Sequence, residues 1–225
     1  MDLDFWLERW KNKEIGFHQD FFHPFLDHFG ESFFWDLSFS NALIFVPLCG
    51  KSLDLLWFYH RNHEVLGVEI SSIACEEFFS ENKIPYTIQS IGENYLYSSL
   101  DERIKIFNGD FFSLTEDFFR PYVHKVLGIY DRASLVALPK NLRKKYVDKI
   151  KALTKPFRQV KYFLITMEFP EIDDSQETGP PFSVTQEEIW ESYQSFFQIR
   201  KVFHRKIERR NLIPTNEVLY FLERL

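Results

Sequence analysis

The stretch Asn41-Ala-Leu-Ile-Phe-Val-Pro-Leu-Cys-Gly-Lys-Ser-Leu-Asp54 decides how this chain folds. Ala42–Val46 is short, wholly apolar and partly β-branched, the pattern of a strand buried on both faces of a parallel sheet. Pro47 cannot continue a central strand, and Gly50 permits a backbone conformation closed to other residues. From Ser52 the period turns helical, with Leu53, Leu56 and Trp57 at i, i+3 and i+4. The reading is strand, tight loop, helix. Such a loop lies at the carboxyl end of a strand and the amino end of a helix, where α/β proteins bind small ligands.

Two phosphate-binding loops compete for this segment, and neither fits. The triphosphate-cradling loop needs a glycine five residues before Gly50-Lys51-Ser52, and that position is Phe45. The dinucleotide loop needs three spaced glycines, and only Gly50 is present. A ligand that needs no phosphate cradle is the better match.

Composition narrows the field further. At 225 residues, with no linker-like stretch, the chain reads as one domain: an extension over 1–40 and a core over 41–225. Its 26 phenylalanines and five tryptophans predict a heavily aromatic core, with rings left to line a pocket for a flat or cationic ligand. The net charge of −6 argues against a nucleic-acid partner. The one basic run, Arg205–Arg210, contains Glu208 and reads as a solvated strand end. Cys49 and Cys75 cannot build a disulfide framework or a structural zinc site. Met1–Trp10 carries three acidic residues and no long apolar core, so no signal peptide is expected. No apolar run suits a membrane span either, which needs about 20 residues. A cytoplasmic monomer is expected.

Along the chain, Asp4–Lys13 reads as an amphipathic helix with Trp6 and Trp10 one turn apart on one face. Phe21–Phe29 begins a second apolar-faced segment. This extension either packs on the core as plain structure or covers the ligand loop as a water-excluding lid. His18, His23 and His28 recur every five residues, which does not align them on a helix face, so no metal site is expected. Leu53–His60 is the next helix and Glu64–Ser71 the second strand. The latter carries Glu69, an acid placed to accept hydrogen bonds from the ribose hydroxyls of an adenosine cofactor. Ser71 or Ser72 caps a helix whose Phe78 and Phe79 face inward.

Asn82–Leu100 reads as irregular. Arg103–Phe107 is the third strand, followed by Asp110 and Phe111, an acid and a ring able to bind and cover an adenine. Ser113 with Glu116 forms a capping-box pattern there. Lys125–Tyr130 is the fourth strand and runs into Asp131-Arg132, either a surface ion pair or a charge placed to steer an anionic or electron-rich acceptor. A helix over 139–150, a fifth strand over Val160–Glu168 and a helix from the cap Thr185 with Glu188 through Phe197 follow. Gln198–Ile207 and Glu217–Leu225 close the chain as an antiparallel pair. The sum is an α/β, doubly wound, Rossmann-like sheet of seven strands, mostly parallel with an antiparallel last strand, plus the aromatic-rich helical extension.

The order of these features resembles the thiopurine S-methyltransferase family, within the class I S-adenosylmethionine-dependent methyltransferases. The resemblance rests on Trp6, Trp10 and Phe17-His18-Gln19; Val46-Pro47-Leu48-Cys49-Gly50-Lys51-Ser52; and Gly67-Val68-Glu69-Ile70-Ser71. It continues through Asp110-Phe111-Phe112, Tyr130-Asp131-Arg132-Ala133 and Gly179-Pro180-Pro181-Phe182, spanning nearly the whole chain. Its most specific parts are Pro-Leu-Cys-Gly-Lys and Asp-Arg-Ala. Ser134 departs from the usual Ala or Gly, and Asp173–Glu177 is more acidic than usual.

That resemblance implies S-adenosylmethionine as cofactor, held by Trp6, Trp10, Leu48, Glu69, Asp110, Phe111 and Arg132. Phe17 and Arg132 would face the acceptor, a small-molecule aromatic or heterocyclic thiol. Methyl transfer from a sulfonium to sulfur is an in-line displacement that needs positioning and dryness more than a dedicated base. No catalytic acid, base or metal is therefore assigned. Selenium or tellurium compounds, small thiols or halides remain open as acceptors on the same fold. A nicotinamide-dependent oxidoreductase is the alternative from another class, and a non-catalytic adenosyl-binding regulator is a third.

Overall fold

The computed structural model describes residues 3–39, 42–169, 179–208 and 214–225. Its centre is the strand read above: β1 (Ala42–Val46) is buried at every position. Alternate side chains serve opposite faces, with Leu43 and Phe45 in one hydrophobic cluster and Ala42, Ile44 and Val46 in the other. A strand apolar on both faces needs layers on both sides, and helices supply them.

Parallel partners flank β1: β2 (Glu64–Glu69) on one side and β6 (Val126–Arg132) on the other. Outward lie β5 (Ile104–Asn108), parallel to β2, and β7 (Val160–Glu168), parallel to β6. The terminal strands β8 (Phe197–Glu208) and β9 (Pro214–Arg224) pair antiparallel, and β9 inserts between β7 and β8. These are the seven strands expected.

Two more strands correct the irregular reading of 82–100. β3 (Tyr86–Ile91) and β4 (Asn94–Ser99) form a hairpin, and β4 continues antiparallel onto β5. The sheet therefore has nine strands, ordered β3-β4-β5-β2-β1-β6-β7-β9-β8. β3 is the outermost and largely solvated, and the alternation begun by Tyr86 and Ile88 breaks at Ser90, too short to mark a half-buried strand.

On one face pack α2 (Pro24–Phe34), α3 (Asp54–Tyr59) and α4 (Ser72–Glu81), through residues such as Phe34, Phe58 and Phe78. On the other pack α5 (Glu116–Phe119), α6 (Lys140–Thr154) and α7 (Gln186–Tyr193), through Phe119, Tyr146 and Tyr193. Local signals start several of these helices. Ser71 Oγ accepts from Ala74 N–H, Thr185 Oγ1 from Glu188 N–H, and His23 Nδ1 from Phe25 N–H ahead of Pro24 at the first helical position. The capping box expected at Ser113 is not formed. Asp110 caps a 3₁₀ turn over Phe111–Ser113, and α5 starts after Thr115. Nor does the helix from Thr185 run through Phe197: it ends at Tyr193, because Phe197 opens β8. The helix after Pro139 instead outruns its expected end at Ile150 and continues to Thr154.

Where the loop after β1 crosses β2, there is no room for a side chain. A Cβ on Gly67 would lie 2.7 Å from Cys49 Sγ. Gly67→Ala is expected to lose about 1–3 kcal/mol through overpacking. Cys49→Ala in the same chain should recover most of that loss in chemical denaturation.

Candidate active site

The loop after β1 turns sharply: Leu48 has φ +46° and Gly50 φ +53°. For leucine this left-handed conformation is strained. Across the crevice Ala133, just past β6, has φ +66°. Leu48 and Ala133 both line one cavity of about 1040 Å³ at the carboxyl ends of the parallel strands. Strained backbone at this end of the sheet marks the ligand crevice of an open α/β fold.

Glu69 closes the loop from β2. Its Oε2 accepts from Gly50 N–H at 2.9 Å and its Oε1 from Ser71 N–H at 2.8 Å. Each carboxylate oxygen keeps a lone pair for a ligand in the cavity. Burial pushes the Glu69 carboxyl up to about 7, despite the N–H groups that favour its ionised form. On β5, Asn108 Nδ2 donates to the carbonyls of Glu69 and Ile70, which holds the tip of β2 beside Asp110.

Lys51 does not face a phosphate. Its Nζ pairs with Glu77 at 2.8 Å and Glu81 at 2.7 Å, both on α4. Burial opposes the charge, but the two acids outweigh it and raise the Lys51 pKa. Gly50-Lys51-Ser52 therefore staples the loop to α4.

The strand tip of β6 divides its residues between two faces. Asp131 points into the core, where its Oδ2 accepts from Tyr146 and Tyr162 hydroxyls at 2.5 Å each. Arg132 points the other way, its Nε donating to Asp54 Oδ2 at 2.9 Å and its Nη2 to Ser52 Oγ at 3.1 Å. The surface Asp131–Arg132 ion pair weighed from sequence is thus excluded, since neighbours on a strand face opposite ways. Burial opposes the Arg132 charge, and the adjacent Asp54 carboxylate more than offsets this, raising its pKa.

The extension covers the loop. α1 (Leu3–Lys11) places Trp10 on Gly50, where an added Cβ would meet the ring at 3.2 Å. Trp6 and Trp10 each meet Phe17 edge to face at 5.6 Å. All eight residues singled out from sequence line the cavity: Trp6, Trp10, Phe17 and Leu48 on the loop side, with Glu69, Asp110, Phe111 and Arg132 on the strand tips. Phe111 also leans its ring on Tyr146, at 4.9 Å between centroids.

Sequence reasoning missed several cavity residues. His18 lines it, its pKa lowered by burial and by nearby Lys51. Arg205, expected as part of a solvated run, instead lines it and pairs with Glu217 of β9 at 2.7 Å. Arg209 and Arg210 lie outside the described residues, as does the acidic stretch Asp173–Glu177. Of the three spaced histidines, His23 is wholly buried and bonded to Glu217, while His28 meets Phe29 edge to face. Among the described residues no helix is long and apolar enough to cross a membrane.

A doubly wound sheet, with an acid at the second strand tip and a glycine-poor loop after the first, has the Rossmann-like arrangement in which an adenosine cofactor binds. Residues 1–220 match the family model of thiopurine S-methyltransferase (TPMT). The chain belongs to that family. It is 36% identical over 232 residues to thiopurine S-methyltransferase of Bordetella petrii, covering 100% of this chain and 99% of that one. It is 35% identical over 212 residues to the Marinobacter nauticus enzyme, covering 94% and 90%. Among solved structures, Burkholderia thailandensis 1,6-didemethyltoxoflavin-N1-methyltransferase, bound to 1,6-didemethyltoxoflavin and S-adenosylhomocysteine, matches with a TM-score of 0.64. That match has 12% identity, over 99% of this chain and 87% of the other. Magnesium protoporphyrin IX methyltransferase of Synechocystis, with bound S-adenosylmethionine, matches at 0.58 and 12%, over 97% and 93%. The family decides among the three classes read from sequence: the protein is a methyltransferase using S-adenosylmethionine, neither a nicotinamide oxidoreductase nor a non-catalytic regulator.

Glu69 makes stability depend on pH with an uncommon sign. Its folded pKa is about 7 against an ordinary 4.5, so between these values the folded chain binds more protons than the unfolded one. The contribution is fully present below about 4.5 and is lost as pH rises toward 7. Glu69→Gln is therefore expected to flatten the fall in unfolding free energy across that window, measured by urea titration at several pH values.

Proposed function

We propose that the enzyme methylates the sulfur of aromatic or heterocyclic thiols, the thiopurine S-methyltransferase reaction. The observation that carries this reading is the aromatic lid: Trp6, Trp10 and Phe17 meet edge to face over one end of a cavity whose strand-tip end holds Arg132. Rings there stack on a flat acceptor and favour the positive sulfonium of the cofactor. The names of the relatives point the same way.

The residues present fit the cofactor. In this reading the Glu69 carboxylate would hold the ribose hydroxyls and Asp110 the adenine amino group. Leu48, Phe111, Trp6, Trp10 and Arg132, which line the same cavity, would complete the cofactor site. When bound, the cofactor supplies an electrophilic methyl group with a good leaving group. The protein's part is to hold the acceptor sulfur in line, with Phe17 covering it and Arg132 steering its negative charge. The lid excludes water. In this reading the enzyme works as a cytoplasmic monomer on a small molecule without a membrane partner, and a net charge of −6 disfavours a nucleic-acid partner.

Isothermal titration with S-adenosylhomocysteine, followed by mass analysis of candidate acceptors, tests the reading. Methylation of aromatic thiols supports it. Methylation confined to selenium or tellurium compounds, small thiols or halides moves the acceptor class while leaving the cofactor in place.

Two outcomes bear on the roles. Ribose hydroxyls donate best to an ionised Glu69, so S-adenosylhomocysteine is expected to bind more weakly as pH falls below about 7. Glu69→Ala should cost about 1–3 kcal/mol of binding in calorimetry at pH 8. Arg132→Ala should lower kcat/KM for an anionic thiol more than for a neutral one, and equal losses would remove the steering role.

A further inference from the structure

Arg132 and Arg205 both line the cavity, and each is held from behind by a buried carboxylate. Asp54 holds Arg132. Glu217 holds Arg205, its Oε2 accepting from both Nε and Nη2 at 2.7 Å. One residue touches both carboxylates. The His23 backbone N–H donates to Asp54 Oδ1 at 2.8 Å, and its ring Nε2 lies 3.0 Å from Glu217 Oε1. The Phe25 N–H donates to His23 Nδ1 at 3.1 Å, so Nδ1 is the acceptor and Nε2 carries the proton given to Glu217. His23 and Asp54 are almost wholly inaccessible to water, and Glu217 nearly so. Arg205 also stacks over the Phe25 ring at 4.9 Å, on the same helix that His23 caps.

We propose that His23 is a positioning residue for the acceptor: through Asp54 and Glu217 it fixes the mutual placement of the two cavity arginines. The inference rests on the thiol methyltransferase reading above. It makes the extension part of the acceptor site and not only its cover. Burial opposes ionisation of Glu217, yet its bonds to His23 and Arg205 outweigh this and hold its carboxyl below the usual range. Arg205 therefore faces a charged partner across the neutral pH range.

Two amide variants separate the jobs of the ring. His23→Asn places an acceptor where Nδ1 sits, keeping the helix cap, but reaches no further toward Glu217. His23→Gln extends an amide donor toward the Nε2 position. In His23→Asn, KM for an anionic aromatic thiol such as 2-mercaptobenzoate is expected to rise about tenfold, the scale of one lost hydrogen bond to a charged group. Affinity for S-adenosylhomocysteine should stay within about twofold. In His23→Gln most of the KM should return. Wild-type KM in folded His23→Asn, or an equal rise in both variants, overturns the proposal, as does a loss falling on cofactor affinity instead. If His23→Asn does not fold, Glu217→Gln, which preserves shape but breaks one of the two bonds, carries the same comparison. Exchange of the Arg205 Nε–H proton, followed by NMR, reads the placement without turnover: faster exchange in His23→Asn supports it and an unchanged rate overturns it. If the wild-type enzyme methylates no aromatic thiol, the functional reading fails and the NMR comparison still decides the role of His23.

Discussion

The site depends on one carboxylate that water cannot reach. Asp54, at the head of α3, is 1% exposed and accepts hydrogen bonds from the His23 backbone, Ser52, Tyr130 and Arg132. A buried charge lacking such partners costs several kcal/mol, so all four donors must arrive together for the fold to be stable. They come from the extension, the loop after β1 and the tip of β6. Burial and the neighbouring Asp54 raise the Tyr130 pKa well above its ordinary value, which keeps its hydroxyl a donor. Satisfying Asp54 and building the cavity wall are therefore one event.

Its counterpart lies across the sheet. Asp131 is also fully buried, but its donors are the tyrosines of α6 and β7. Alternation along β6 thus sends one charge to each layer. Ser134 donates to the carbonyl of Pro47 at 3.0 Å and ties the end of β6 to the loop after β1. The two strained turns, at Leu48 and Ala133, are held from both sides.

What was legible in the sequence was local. Ala42–Val46 and Val160–Glu168 appear with the bounds read from sequence, the first because burial on both faces leaves no polar interruption and the second because its centre, Tyr162–Ile165, is a continuous buried apolar run. Glu69 was legible because its place at a strand tip is a matter of spacing. The β3–β4 hairpin was not, since the side chains of β3 largely face water on the sheet edge and the hairpin's Ser, Thr, Gln and Asn residues blur the apolar period. Asp54 and His23 were illegible for a different reason. Asp54 looks like any helix-starting acid, and His23 like one of several histidines. Their meaning lies in partners 31, 76 and 194 residues away. Arg205 was hidden by its company: in a basic run it reads as a solvated charge, and only β9 supplies the buried Glu217 that turns it inward.

That last pairing has a consequence for how the enzyme comes into being. His23 lies in the extension, and its carboxylate partner lies on β9, which enters the sheet between two strands already made. A chain leaving the ribosome amino end first has the loop after β1, the acid of β2 and the lid long before it has Glu217. During synthesis the part of the cavity lined by the loop after β1 and the tip of β2 precedes the part lined by Arg205 and Glu217, and contacts so distant in sequence close slowly. Until β9 docks, the nascent chain holds a partial cavity in which Arg205 lacks its Glu217 partner.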